Sequence, residues 1–237
     1  QIEYWKNYLA PCMEYCANNK LGYLEVYQKH NLDLNKSQYD EYEYNCKELK
    51  QVQMLGRKLQ ISYASIIYAL WSALLSSLSG KCDILFGFVR SGRSIPIQGI
   101  DKMVGLFIET LPFCTTINKS MKLVDYFEHA HKTLLELNGQ THVAFKKYEK
   151  RNFSKIAHVL YDNIVTIQNY PIPQELYGNE RISLYKKHHT SNMKMSLSIL
   201  MEPLYTITLT YNSLYYTEEF INRVANLLRT VSYTHLT

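Results

Sequence analysis

The sequence predicts an α/β sandwich. Segments with helix-spaced apolar residues alternate with short β-rich segments, and Met195 to Met201 and Tyr205 to Tyr211 alternate strictly, as neighbouring antiparallel strands do. At 237 residues, with 46% hydrophobic and 20% charged, the chain can bury one large core or two small lobes. The longest mostly apolar stretch, Ile66 to Leu75, stops at Ser76 and Ser77, well short of the ~18 residues a membrane span needs.

The elements follow in order. Trp5, Tyr8, Leu9 and Pro11 read as a short helix running into a polar loop at Asn18, Asn19 and Lys20, so residues 1–30 form a linker or lobe edge. Tyr39 to Tyr44 is strand-like, and Cys46 to Leu55 carries helical spacing that Gly56 should terminate. From Ser62 to Ser79 apolar residues crowd most faces, and Gly80 supplies a left-handed end, which predicts a nearly buried helix. Asp83 to Val89 is β-rich and interrupted by Gly87, the mark of a bulge or a close approach of other atoms.

The loop from Arg90 to Met103, with Ser91-Gly92-Arg93 and Pro96, leads to a second strand over Met103 to Ile117, near whose start lies Gly105. Lys122 to Leu137 returns to helical spacing, bracketed by Ser120 and Gly139. Asn163 to Asn169 is a strand broken by Tyr170-Pro171-Ile172-Pro173, and Glu202-Pro203 makes the turn between the last two strands. A closing helix over Thr217 to Leu228 begins with Thr217-Glu218-Glu219, a hydroxyl cap followed by carboxylates suited to the positive helix end. The last seven residues, Val231 to Thr237, break the pattern and read as a non-native tail, leaving 31–230 as the main lobe.

Charge and motif content exclude several function classes. The net charge of +5 is spread over pairs such as Lys146-Lys147, Lys150-Arg151 and Lys186-Lys187 without a sustained stripe, which gives nucleic-acid binding little support. Five cysteines (Cys12, Cys16, Cys46, Cys82, Cys114) form no C-x-x-C pair and read as reduced and cytoplasmic. His129 and His131, two apart on a helix, cannot share a metal, and no H-E-x-x-H, Walker loop, G-x-S-x-G or G-x-G-x-x-G occurs. His188-His189 would suit acyl transfer if an Asp-Gly followed, but Thr190, Ser191, Asn192, Met193 and Lys194 supply neither. The sequence therefore assigns no catalytic residue, no metal and no directly bound cofactor. The chain opens on Gln1 and reads as a piece of a longer polypeptide.

Five blocks in sequence order resemble the second half of a nonribosomal peptide synthetase condensation domain. They are the helix over Leu59 to Leu75; SGKCDILFGFVRSGR (Ser79 to Arg93), similar to the family's D-x-x-x-G-x-x-x-x-G-R; MVGLFIETLP (Met103 to Pro112), similar to V-G-x-F-x-N-T-L-P; LYDNIVTIQNYP (Leu160 to Pro171); and the closing strands and helix. Glu109 stands where the family usually has Asn, and Cys114 where it usually has Arg. The family's H-Q-x-x-P region corresponds to Gln140-Thr141-His142-Val143-Ala144, without the proline.

The resemblance implies a chloramphenicol-acetyltransferase-like fold of two lobes with a tunnel between them, this chain being the C-terminal lobe. It implies that the H-H-x-x-x-D-G histidine lies on the other lobe, and that the intact domain joins two carrier-tethered aminoacyl or peptidyl thioesters through a peptide bond. Phosphopantetheine would be brought by the carrier proteins, with an adenylation domain downstream as a further partner. Arg93 and Asp83 are then supporting inter-lobe residues, Arg93 pairing with the aspartate of the absent motif. Gly87, Gly92, Gly105, Glu109 and Thr110 are candidates for the tunnel wall. Competing readings are a non-catalytic docking module on the same fold and an acyl-coenzyme A dependent acyltransferase. An epimerisation domain fits less well, because Thr110-Leu111-Pro112 follows the condensing pattern.

Overall fold

The helix over Tyr63–Ser79 (α3) organises the structure, a computed structural model that describes residues 2–17, 39–93, 97–118, 120–140, 142–153, 160–168, 193–201 and 205–234. Its run of Ile66, Ile67, Tyr68, Ala69, Leu70 and Trp71 is buried all round, as its sequence predicts. Ser62 caps its start, accepting from the Ala64 N–H at 3.2 Å, and Gly80 ends it at φ +71°. Ser62 N–H and Ser65 Oγ also reach Nδ1 of His131, at 3.4 and 3.1 Å, so that imidazole joins α3 to the helix over Leu123–Asn138 (α4). Ser65 is fully buried, which makes this a packing contact and not an exposed nucleophile.

The helix lies against a six-stranded mixed sheet. Its strands are Tyr39–Asn45 (β1), Asp83–Arg90 (β2), Glu109–Thr116 (β3), Asn163–Gln168 (β4), Met195–Leu200 (β5) and Thr206–Asn212 (β6), in the order β1-β6-β5-β4-β2-β3. Only β4 runs parallel to its neighbours; β5 and β6 are the expected antiparallel pair. Helices Leu49–Leu59 (α2) and Glu218–Thr234 (α6) join α3 over β5 and β6, where Leu49, Val52, Ile67, Leu70, Leu197, Ile199, Ile207 and Leu228 line one apolar seam. At the other end of the sheet the Tyr68 ring packs on Phe86, Phe88 and Phe113 at 5.4–5.9 Å between centroids. Such pairs add ~0.5–1.5 kcal/mol each beyond the area they bury.

Several expectations about the elements are corrected. The first helix (α1), expected to be short, runs over Ile2–Ala17; its Trp5 and Leu9 are fully buried, and Trp5 meets Phe145 at 4.9 Å. Phe145 belongs to a helix that sequence reading missed, His142–Phe153 (α5), whose run of basic residues hides the spacing of Phe145 and Tyr148. Gly56 does not end α2. It lies within the helix, where a Cβ would come 3.0 Å from the Ile61 carbonyl, and the chain turns at Gln60 with φ +55°. Nor does Ser120 cap α4, since its hydroxyl donates to Asn118 Oδ1 at 2.7 Å. The closing helix continues past Leu228 to Thr234, into the segment expected to break the pattern.

No single helix among the described residues is long and apolar enough to cross a membrane. The paired histidines His188-His189, the Tyr170-Pro171-Ile172-Pro173 break and the Glu202-Pro203 turn lie outside the described residues.

Candidate functional site

The predicted site residues divide between the two ends of β2. Asp83 begins the strand and accepts a hydrogen bond from Thr116 Oγ1 at 2.6 Å, so it closes the register between β2 and β3. Arg93 lies just past the far end. At ~3.4 Å per residue, the strand places Asp83 roughly 20 Å from its far end at Arg90, beyond which Arg93 lies. The structure therefore does not bring Asp83 and Arg93 together.

Gly87 lies mid-strand, buried, opposite Pro112 on β3 and Ile164 on β4. A Cβ there would come 2.4 Å from the Tyr161 ring. The close approach foreseen at this glycine is filled by a side chain of the chain itself.

Gly92, Gly105, Glu109 and Thr110 gather at the far end with Arg93. Gly92 has φ +64°, and a Cβ on it would lie 1.9 Å from the Phe107 carbonyl oxygen, so two reasons require glycine. The glycine turn aims Arg93 back along the loop. Its guanidinium donates to the carbonyls of Ile100 and Met103 (3.0 Å to the latter) and stacks on the Phe107 ring at 4.4 Å. This tether explains why the strand expected from Met103 begins only at Glu109. Residues 103–108 are held by Arg93, with Gly105 exposed among them, and they extend no ladder. Val104 is fully exposed, Leu106 is 91% exposed and Ile108 63%, an unusual cluster of bare aliphatic surface on one short segment.

Glu109 opens β3 opposite Arg90, the last residue of β2. Arg90 Nε and Nη2 both lie 2.7 Å from Glu109 Oε2, and the two side chains are only 13% and 18% exposed. The same guanidinium donates to the carbonyls of Leu137 (3.0 Å), Asn138 (3.4 Å) and Gln140 (2.8 Å) where α4 ends, a position that favours a cation. Thr110 follows, half-buried, opposite Val89.

Arg90 is the residue that sequence reasoning missed. The departure at Glu109 was visible, and a carboxylate next to a strand end asks for a cation, but several basic residues competed for the role. A second missed group is a buried polar chain. Trp71 Nε1 donates to Asn163 Oδ1 at 3.1 Å, Asn163 Nδ2 donates to Asp162 Oδ1 at 3.1 Å, and Lys194 Nζ stands 3.5 Å from Asp162 Oδ2. Burial pushes the Asp162 carboxyl up from its ordinary range, with Lys194 opposing.

Chemically, the far-end cluster offers two guanidinium groups, one compensated carboxylate, tight glycine backbone and exposed aliphatic surface. These can bind and orient. Among the described residues no group of His, Cys, Asp and Glu is placed to hold a metal ion.

A family model described as Condensation domain matches residues 1–233. Gramicidin S synthase 2 of Brevibacillus brevis is 26% identical over 98% of the chain, and tyrocidine synthase 3 of Brevibacillus parabrevis is 28% identical over 97%. The chain spans only 5% and 4% of those proteins' lengths. Among solved structures, a four-domain nonribosomal peptide synthetase bound to AMP and glycine superposes with a TM-score of 0.74 at 12% identity, over 89% of this chain and 17% of that one. The first condensation domain of the calcium-dependent antibiotic synthetase, in complex with a substrate analogue, gives 0.67 at 12% identity, over 99% of this chain and 54% of that one. The epimerization domain from the third module of tyrocidine synthetase B gives 0.65 at 9% identity, over 98% and 56%. At these identities the superpositions show the fold, which is shared by condensing and epimerizing domains.

Proposed function

The chain belongs to the condensation-domain family of nonribosomal peptide synthetases, and from that premise we propose that it is the C-terminal lobe of such a domain, forming one wall of a tunnel closed by an N-terminal lobe. Coverage supports this reading, since the chain accounts for about half of a solved condensation domain. The observation that carries it is the segment after Arg93, whose exposed Val104, Leu106 and Ile108 offer the apolar surface that a second lobe would cover.

In the intact domain, an acceptor amine attacks the carbonyl of a donor thioester. A C–N bond forms, the C–S bond breaks, the amine gives up a proton, and the donor arm leaves as a thiol. Both substrates arrive on phosphopantetheine arms of carrier proteins, loaded by an adenylation domain. This lobe contributes orientation: holding two tethered groups in one passage removes translational and rotational freedom that can otherwise account for ~7–11 kcal/mol of a barrier. A tethered arm also supplies a local concentration of order mM without tight binding. Proton handling belongs to the other lobe.

The test is turnover with two loaded carriers, read by mass spectrometry of the thioester-bound product. The chain joined to its N-terminal lobe should form the peptide, and residues 1–237 alone should form none. Turnover by this chain alone, or transfer from free acyl-coenzyme A without carriers, overturns the reading. Carrier binding with no transfer in the complete domain assigns the docking role instead.

A further inference from the structure

The Glu109 carboxylate stands among the candidate wall residues, yet its charge is not left bare. Its Oε2 takes both Nε and Nη2 of Arg90 at 2.7 Å, and among the described residues this is its one ion pair. Arg93, the other guanidinium of the cluster, is committed to Ile100, Met103 and the Phe107 ring. Arg90 is held independently of Glu109 by three carbonyls at the end of α4, so the cation stays in place even if the carboxylate is removed. Both side chains keep a remnant of exposure, 13% and 18%, enough for a neighbouring charge to sense them. The glycine next to them admits nothing beyond its own hydrogen: a Cβ at Gly92 would lie 1.9 Å from the Phe107 carbonyl oxygen, with the Glu109 Cγ a further close neighbour at 3.3 Å.

We propose that Arg90 and Glu109 together are a specificity-determining pair, keeping this stretch of the passage electrically neutral and so setting the charge that a tethered substrate side chain can carry past it. The inference rests on the tunnel-wall reading above. Its physical basis is that an uncompensated charge in a partly desolvated wall acts on a substrate charge far more strongly than in water, whereas a close ion pair presents only a dipole. Breaking the pair from either side should therefore create charge selectivity of opposite sign.

The experiment uses the complete domain with acceptor carriers loaded chemically with aspartyl or asparaginyl thioester, two side chains of nearly equal shape that differ in charge. The quantity read is the ratio of kcat/KM for aspartyl over asparaginyl. Arg90→Gln, which bares Glu109, should lower the ratio by about tenfold, and Glu109→Gln, which bares Arg90, should raise it by about as much. The double variant Arg90→Gln with Glu109→Gln should return it near the wild-type value. Arg90→Lys keeps the cation while losing the planar fork; it should lower turnover on both substrates and leave the ratio unchanged. If Arg90→Gln fails to fold, Glu109→Gln still tests the inference through a raised ratio, against Arg90→Lys as the variant whose ratio should not move.

Equal losses on both substrates in every variant, with an unmoved ratio, overturn the inference and leave the tunnel-wall reading standing. A complete wild-type domain that makes no peptide from any carrier pair overturns both.

Discussion

The hydroxyl of Tyr8 on α1 engages both main-chain groups of Cys114 on β3, accepting from its N–H at 2.7 Å and donating to its carbonyl at 3.2 Å. β3 is an edge strand, and its outward groups would otherwise be an open template for another chain. Pro112, two residues along and so facing the same way, has no N–H to leave unpaired. One phenol and one proline thus close this stretch of the edge, and α1 becomes part of the sheet's packing. Burial holds the Tyr8 phenol well above its ordinary value, so it remains a neutral donor through the physiological range.

Tyr8→Phe keeps the ring and removes the hydroxyl, leaving a buried N–H and carbonyl without a partner. The loss should be ~1–3 kcal/mol in urea unfolding. An unchanged midpoint shows that water replaces the phenol and that α1 does not seal the edge.

Gly92→Ala and Gly80→Ala separate steric closeness from backbone conformation, because both glycines have positive φ, +64° and +71°. Nothing lies within 4 Å of a Cβ at Gly80, so alanine there should cost only the left-handed penalty of ~1–2 kcal/mol. At Gly92 the Cβ meets the Phe107 carbonyl, so the cost should rise to ~3 kcal/mol or more as the loop is forced from β3. Equal melting temperatures for the two variants count against the close approach.

Asp162 gives a pH dependence whose sign follows from its raised carboxyl. The folded state holds this proton more tightly than the unfolded state, whose value is near 3.8. Stability from this group is therefore fully present below that value and declines as pH rises through the folded-state value. Asp162→Asn removes the titration, so its stability relative to wild type should increase as pH rises above the unfolded-state value and level off once the folded-state carboxyl has ionised. A difference that stays constant across denaturant melts over this rise in pH shows that Lys194 compensates the charge fully.

Arg93→Lys keeps a cation but cannot hold the two carbonyls in one plane while stacking on Phe107. In the complete domain, peptide-bond formation should fall by roughly tenfold or more through misplacement of the loop, with little change in melting temperature. Faster amide exchange over residues 103–108 should accompany the loss. Wild-type turnover in this variant argues against a positioning role for Arg93.

Regular elements were legible wherever local chemistry is self-contained. Ser62 and Gly80 delimit α3 as their side chains dictate, Thr217 caps α6 by accepting from the Phe220 N–H at 3.2 Å, and strict alternation identified β5 and β6. Local signals failed where packing outweighed them. Gly56 is carried through α2 because the turn into α3 leaves no room for a side chain there. The apparent strand at Met103 to Ile108 is pulled from the sheet by a guanidinium ten or so residues earlier in the chain.

The amino-acid order by itself determined the α/β class, the family and the two glycine-bearing blocks that mark the far end of β2, because periodicity, caps and short motifs act over a few residues. Only the tertiary structure decided which charges meet. Arg90 and Glu109 are 19 residues apart, Tyr8 and Cys114 are 106, and Trp71 and Asn163 are 92. Such contacts depend on strand order and register, which bring distant residues into hydrogen-bond distance of each other and which no spacing along the chain encodes.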